Sequence, residues 1–214
     1  MKSPSAIIYD LDNTIYPVSA ISKDVASPVF NAILDVGKKH FPITKLQEIM
    51  NDCYRISIRE IIKKYEFPVE MVNIVEIAFD KMTIDYQLDT YSDYPAIKNI
   101  SGRRFLVTSG HFKFQNLKID NLSIRKDFDE IFIHDDDDEG CIGKTRIFTQ
   151  ILKNFNLDKE SVIIVGDSIN SEIAAGKNLE LITVQILRHG VKKSAGATHY
   201  IKNFHDLAYL IKKA

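Results

Sequence analysis

The sequence predicts an α/β fold: a parallel sheet covered by helices on both faces, a three-layer sandwich, with a small helical domain inserted after the first strand. Three observations predict it. Short unbroken apolar runs recur along the chain, segments with helical periodicity lie between them, and the stretch from Val18 to Thr90 departs from that alternation with helical periodicity alone.

The first run is Ala6-Ile7-Ile8-Tyr9. Strands buried on both faces read as continuous apolar runs, because helices cover both sides of the sheet. After it, Val25, Val29, Ile33 and Val36 recur at helical spacing, then Leu46, Ile49, Cys53 and Ile56, then Met71, Val75, Ala78, Phe79 and Met82. Pro42 and Pro68 punctuate these segments, as expected near helix boundaries. Ordinary connections between a strand and a helix run to roughly 2–6 residues. An insertion this long therefore reads as a domain of its own over the sheet edge, spanning 18–90, with 1–17 and 91–214 forming the core. Within the core, Phe105-Leu106-Val107, Glu130–Ile133, Ser161–Val165 and Leu181–Leu187 supply the further strands. Helices are expected from Lys144 to Phe155, where Ile147, Ile151 and Leu152 share a face, and from Phe204 to Ile211.

The 214 residues carry 28 Lys+Arg against 29 Asp+Glu, a formal charge of −1, with 45% hydrophobic and 27% charged residues. That balance gives no electrostatic reason to expect a nucleic acid polymer or an anionic membrane as partner. Cys53 and Cys141 are too few for a disulfide framework or a four-thiolate zinc site. The apolar stretch Ala6–Tyr9 is too short for a secretory signal, and no run reaches the roughly 18 apolar residues a membrane helix needs. The expected location is cytoplasmic. Oligomeric state has no signature here.

Chemistry concentrates at the ends of the runs. In Tyr9-Asp10-Leu11-Asp12-Asn13-Thr14 two carboxylates at i and i+2 project to one side of extended backbone. In open α/β sheets the ligand crevice lies beyond the carboxyl ends of the strands, where Asp10 and Asp12 fall. Crowded carboxylates repel unless a cation or shared proton compensates, and a hard, oxygen-seeking ion such as Mg2+ is the natural compensation. Taken alone, the pair reads better as a strand followed by an Asp/Asn-rich turn. Three later elements join it. Thr108-Ser109-Gly110 offers hydroxyls and a glycine-permitted turn able to cradle a phosphate. Lys144 opens a helix with an ammonium for phosphate oxygens or a carboxylate. Gly166-Asp167 places another carboxylate at a strand end, with Glu172 a turn and a half later.

This ordered set, Asp10-x-Asp12-x-Thr14, Thr108, Lys144 and Gly166-Asp167 with Glu172, resembles the four motifs of the haloacid dehalogenase-like hydrolase superfamily. The resemblance covers almost the whole chain and implies a Rossmann-like core, with the helical insertion as that family's C1 cap. Asp12-Asn13-Thr14-Ile15-Tyr16-Pro17 is similar to the corresponding run of the pyrimidine 5′-nucleotidase branch. The chain departs from the common pattern at Thr145, where many relatives carry proline, at Glu172, where aspartate is common, and at Thr108-Ser109 in place of Thr-Asn.

The resemblance implies a two-step phosphoryl transfer on a small phosphorylated metabolite. Asp10 is the expected nucleophile and Asp12 the acid and then the base. Mg2+ is expected on the Asp10 carboxylate, the Asp12 backbone carbonyl and the Asp167 carboxylate, with Thr108, Ser109 and Lys144 on the phosphate and Glu172 supporting from behind. An acid at position 12 points to phosphate esters, since dehalogenase relatives lack it. Sugar-phosphate phosphatase, phosphoglycolate phosphatase and phosphomutase chemistry remain as alternatives to the nucleotidase. Lys23, Tyr54, Arg55, Arg59 and Tyr86 are the inserted domain's candidates to touch substrate.

Other patterns carry less. Asp135, Asp137, Glu139, Gly140 and Ile142 match a calcium loop in part, but Arg146 stands where its bidentate glutamate belongs. The six histidines show no zinc-binding spacing, and His111 is expected as an exposed residue at a helix start. A phospho-accepting receiver domain shares an acidic pocket with a Thr and a Lys. The paired acids on the first strand and the long insertion fit it poorly. A catalytically retired scaffold is disfavoured because each expected catalytic group is present.

Overall fold

The computed structural model describes residues 3–53, 57–134 and 143–213. The core elements are strands β1 (Ala6–Tyr9), β2 (Arg103–Ser109), β3 (Glu130–His134), β4 (Val162–Gly166), β5 (Ile182–Ile186) and β6 (His199–Ile201). They pair in parallel in the order β3-β2-β1-β4-β5-β6. β1 lies between β2 and β4, with Ala6 opposite both Arg103 and Val162. Successive connections leave β1 toward β3 and then return to its other side. The crevice of a doubly wound sheet opens at that reversal, next to the end of β1.

The helices are α1 (Ser27–Gly37), α2 (Ile43–Asp52), α3 (Ile58–Lys64), α4 (Val69–Phe79), α5 (Phe112–Asn121), α6 (Thr145–Asn154), α7 (Ala174–Asn178) and α8 (Phe204–Lys212). Both sheet faces are covered, as the unbroken strands require. Ile7 and Tyr9 of β1 join Ile163 and Val165 of β4 in a core closed by Ile119 of α5 and by Phe204 and Leu207 of α8. Ala6 and Ile8 join Val162 and Ile164 in the opposite core, closed by Ile147, Phe148 and Ile151 of α6. A third cluster lies within α1–α4, from Val29 and Ile33 to Met71, Val75 and Phe79.

Local signals explain the helix starts. Pro28 occupies the first turn of α1, and Pro42 and Pro68 immediately precede α2 and α4. Ser57 and Glu60 form a reciprocal capping box on α3. Asn203 caps α8 by accepting from the Asp206 N–H. The five expected strands are present, with a short sixth, β6, added. Helices α3 and α7 lay outside the expectation, and of α5 only its start at His111 was expected. None of the described helices is long and apolar enough to cross a membrane.

Candidate active site

The Asp10 N–H continues the sheet by donating to the Val165 carbonyl at 2.9 Å, so its side chain starts from the rigid end of β1. The chain then turns, with the Ile15 N–H donating to the Leu11 carbonyl at 2.9 Å and Asn13 in a left-handed conformation at φ 53°. Arg188, buried, clamps this turn from outside: its guanidinium donates to the Thr14 carbonyl at 3.0 Å and to both Asp93 oxygens at 2.9 and 3.0 Å.

Lys144 directly precedes α6 and reaches Asp10 Oδ1 at 2.5 Å and Glu172 Oε2 at 3.1 Å, all three side chains buried. Thr14 Oγ1 approaches Asp10 Oδ2 at 3.4 Å. The Ser168 N–H donates to Glu172 Oε1 at 2.6 Å, so both Glu172 oxygens are engaged. Glu172 lies directly over Gly166, where a methyl group would overlap its carboxylate; only glycine leaves the room. Carboxylate oxygens of Asp10, Asp167 and Glu172 lie within 4.8 Å of one another.

The charges there do not balance. Three acids face one ammonium, and the protonation equilibria register the deficit. Burial pushes the Asp10 carboxyl up to about 8; Lys144 opposes this, while Glu172 and Asp12 add repulsion. Burial, with Glu172 beside it, raises Asp167 to about 6. Burial disfavours the Lys144 charge, but Asp10 and Glu172 outweigh it and hold the ammonium protonated. An all-oxygen donor set short of positive charge fits a hard divalent ion such as Mg2+.

Asp12 lies apart from that cluster. Its carboxylate is gripped by Lys118 Nζ at 2.7 and 2.8 Å, by the Tyr16 hydroxyl at 2.6 Å and by the Gln115 amide at 3.2 Å. Burial would raise its pKa, but these donors, led by Lys118, hold it below the usual carboxylate range. On β2, the Thr108 hydroxyl is buried without a hydrogen-bond partner among the described residues. A buried hydroxyl so placed is free to donate to a ligand oxygen. Gly110, at φ 134°, makes the turn after Ser109, whose carbonyl accepts from Gln115. Ser109 and Lys144 line a cavity of about 480 Å3 to which Glu60 of α3 also contributes.

The structure thus brings Asp10, Thr108, Ser109, Lys144, Asp167 and Glu172 to one end of the sheet, with Asp12 beside them. Sequence reasoning missed Lys118, Gln115 and Arg188. His111 is corrected: it begins α5, but only 9% of its side chain is exposed, because it stacks on Phe79 at 3.8 Å and meets Glu76 at 2.8 Å. Its neighbour on α5, Lys113, pairs with Asp80. Tyr86 is a structural acceptor, taking the Ser22 N–H at 2.6 Å. Arg59 lies 3.9 Å from Glu76 on the wall of an apolar cavity of about 270 Å3 with His111, Phe79 and Met82. Lys23 lines a cavity of about 390 Å3 that also includes Asp12 and Lys118. Tyr54, Arg55 and the calcium-loop pattern at 135–142 lie outside the described residues.

Comparison with known proteins gives the family and the fold. The sequence profile of haloacid dehalogenase-like hydrolases matches residues 4–180. The chain belongs to that family and is a hydrolase-type enzyme. Among its relatives, glyceraldehyde 3-phosphate phosphatase of Methanocaldococcus jannaschii is 24% identical over 226 residues, covering 96% of each chain. The protein of the same name from Methanopyrus kandleri is 24% identical over 208 residues, covering 86% of this chain and 84% of the relative. Among solved structures, a 2-haloacid dehalogenase from Pseudomonas syringae superposes with a TM-score of 0.67 at 16% identity, covering 98% of this chain and 99% of the other. At that identity the likeness establishes the fold.

Proposed function

We propose that this chain is a Mg2+-dependent phosphomonoester hydrolase working through an aspartyl-phosphate on Asp10. One observation carries the reading: a buried carboxylate at the end of β1 paired with Lys144 beside two further acids, at the sheet end that also holds the Thr108 hydroxyl, without a partner among the described residues.

Asp10 Oδ attacks phosphorus as the bond to the leaving oxygen breaks, and that oxygen takes a proton from Asp12, which must enter this step as the carboxylic acid, protonated from solvent against the pull of Lys118 and Tyr16. In the second step Asp12, as carboxylate, removes a proton from the attacking water. The Asp10–phosphorus bond then breaks and inorganic phosphate leaves. The ionised state that Lys118 and Tyr16 favour at Asp12 is the one the second step needs. Thr108 and Lys144 hold the transferring oxygens, Ser109 shapes the turn beneath them, and Glu172 keeps Lys144 in place. The Asp10 and Asp167 carboxylates and the Asp12 backbone carbonyl would hold Mg2+, which supplies positive charge to the phosphoryl oxygens.

Residues 18–90 act as a C1 cap in this reading, closing over the leaving group. The substrate is a small phosphorylated metabolite. The apolar cavity at Phe79, Met82 and His111 favours a ring-bearing leaving group, in keeping with a pyrimidine 5′-nucleotidase. The names of the two archaeal relatives favour a triose phosphate instead. Phosphate release from UMP, CMP, AMP, glyceraldehyde 3-phosphate, phosphoglycolate and hexose phosphates, each with Mg2+ and with EDTA, tests both. Mg2+-dependent release is expected, and the preferred ester assigns the substrate. Release that persists undiminished in EDTA contradicts the metal assignment.

A further inference from the structure

Lys118 is a lysine in a lysine's least favourable place. Only 4% of its side chain is exposed, and its ammonium lies over the rings of Phe114 and Tyr16, at 5.1 and 5.7 Å. A charge so placed needs a counter-charge, and Asp12 supplies it with both oxygens, across 106 residues of sequence. Gln115, one turn earlier on α5, adds a donor to Asp12 Oδ2 while also donating to the Ser109 carbonyl. Asp12 keeps 28% of its side chain exposed, on the wall of the cavity it shares with Phe30 and Lys23. The carboxylate is therefore held on its buried side and open toward the cavity.

An unrestrained aspartate at a loop samples several χ1 wells. Proton transfer demands a heavy-atom approach of about 2.6–3.2 Å in one direction. The geometry points to Lys118, assisted by Gln115, as the positioning residue of Asp12: it fixes the direction in which this carboxylate meets the leaving oxygen and the attacking water. The assignment rests on the phosphatase reading above. A purely structural lysine would stabilise the fold without acting through Asp12, and the two roles separate in a double-mutant cycle.

The cycle compares wild type, Lys118→Met, Asp12→Asn and the double variant, with Lys118→Arg as the conservative control and thermal unfolding as the check on folding. Lys118→Met is expected to lower kcat by about 10–100-fold with KM within about threefold, and Lys118→Arg to restore most of the loss. In the Asp12→Asn background the same change is expected to cost less than about threefold, because the group it acts through is gone. Equal losses in both backgrounds, or a loss confined to KM, overturn the proposal. If Lys118→Met does not fold, Lys118→Gln and Gln115→Leu enter the same cycle with the same criteria. A wild type without Mg2+-dependent turnover overturns the phosphatase reading and this assignment with it. An active wild type, an impaired Asp12→Asn and an unimpaired Lys118→Met overturn this assignment alone.

Discussion

Asp10, Asp167 and Glu172 crowd three acids around the single ammonium of Lys144, and the residue-scale predictions come from that imbalance. Asp10→Asn keeps the shape and removes the nucleophile. It is expected to abolish phosphate release with the unfolding midpoint near wild type, and appreciable residual Mg2+-dependent turnover would exclude Asp10 as nucleophile. Asp167, raised to about 6, takes up a proton below that pH, and a metal ion must displace it. Asp10, raised to about 8, acts with the same sign. The Mg2+ concentration giving half-maximal activity is therefore expected to rise as pH falls from about 7 to about 5. A half-saturation point that stays constant across that window contradicts Asp167 as a ligand. Asp10 and Asp167 were legible in the sequence because each closely follows an apolar run, which marks a strand end in one dimension, and Glu172 was found by its spacing from Asp167. Lys118 was not. Nothing near it in sequence announces a partner 106 residues away, and a lysine in a helix is ordinarily a solvated surface group.

At the scale of elements, the turn from β4 into α7 carries the tightest constraint. Gly166→Ala puts a methyl group into the Glu172 carboxylate. We expect it to destabilise the fold by about 1–3 kcal/mol in urea unfolding, as overpacking does, and to lower kcat by displacing Glu172 from Lys144. An unchanged kcat would show that Glu172 does not need its present position. Phe148, fully buried between α6 and the sheet, is expected to cost about 3–5 kcal/mol when cut to alanine, read by the same unfolding curves. Helix α6 was predictable because Ile147 and Ile151 repeat at helical spacing on a buried face. Beyond its expected start at His111, helix α5 was not, because its buried residues are Gln115, Lys118 and Ile119, a face dictated by the site and invisible to hydrophobic periodicity. Helix α3 buries only Ile61 and shows no stripe, and β6 is three residues long at the sheet edge.

For the whole molecule, two cores sandwich the sheet and a third holds α1–α4 together, so no metal is needed to keep the fold. EDTA is therefore expected to stop turnover while leaving a cooperative unfolding transition. Loss of that transition in EDTA would show the ion to be structural. The alternation of strands and helices, and the insertion after β1, were visible in the sequence because burial on both faces leaves strands without polar interruptions. How the inserted helices meet the core was not visible. That contact includes His111 stacked on Phe79, His111 with Glu76, Lys113 with Asp80, and Phe114 and Leu117 against the α1–α4 cluster, pairings between segments far apart in sequence that no local pattern encodes. The central claim, a covalent phosphoryl-enzyme on Asp10, is tested most directly by acid-quenching the enzyme during turnover of a hydrolysed phosphomonoester with Mg2+ and locating the phosphoryl group by peptide mass spectrometry. We predict a phosphoryl group on the peptide containing Asp10 in the wild type and none in Asp10→Asn. A phosphoryl group on another residue, or none while steady turnover proceeds and the trap is shown to hold an acyl phosphate, would contradict it.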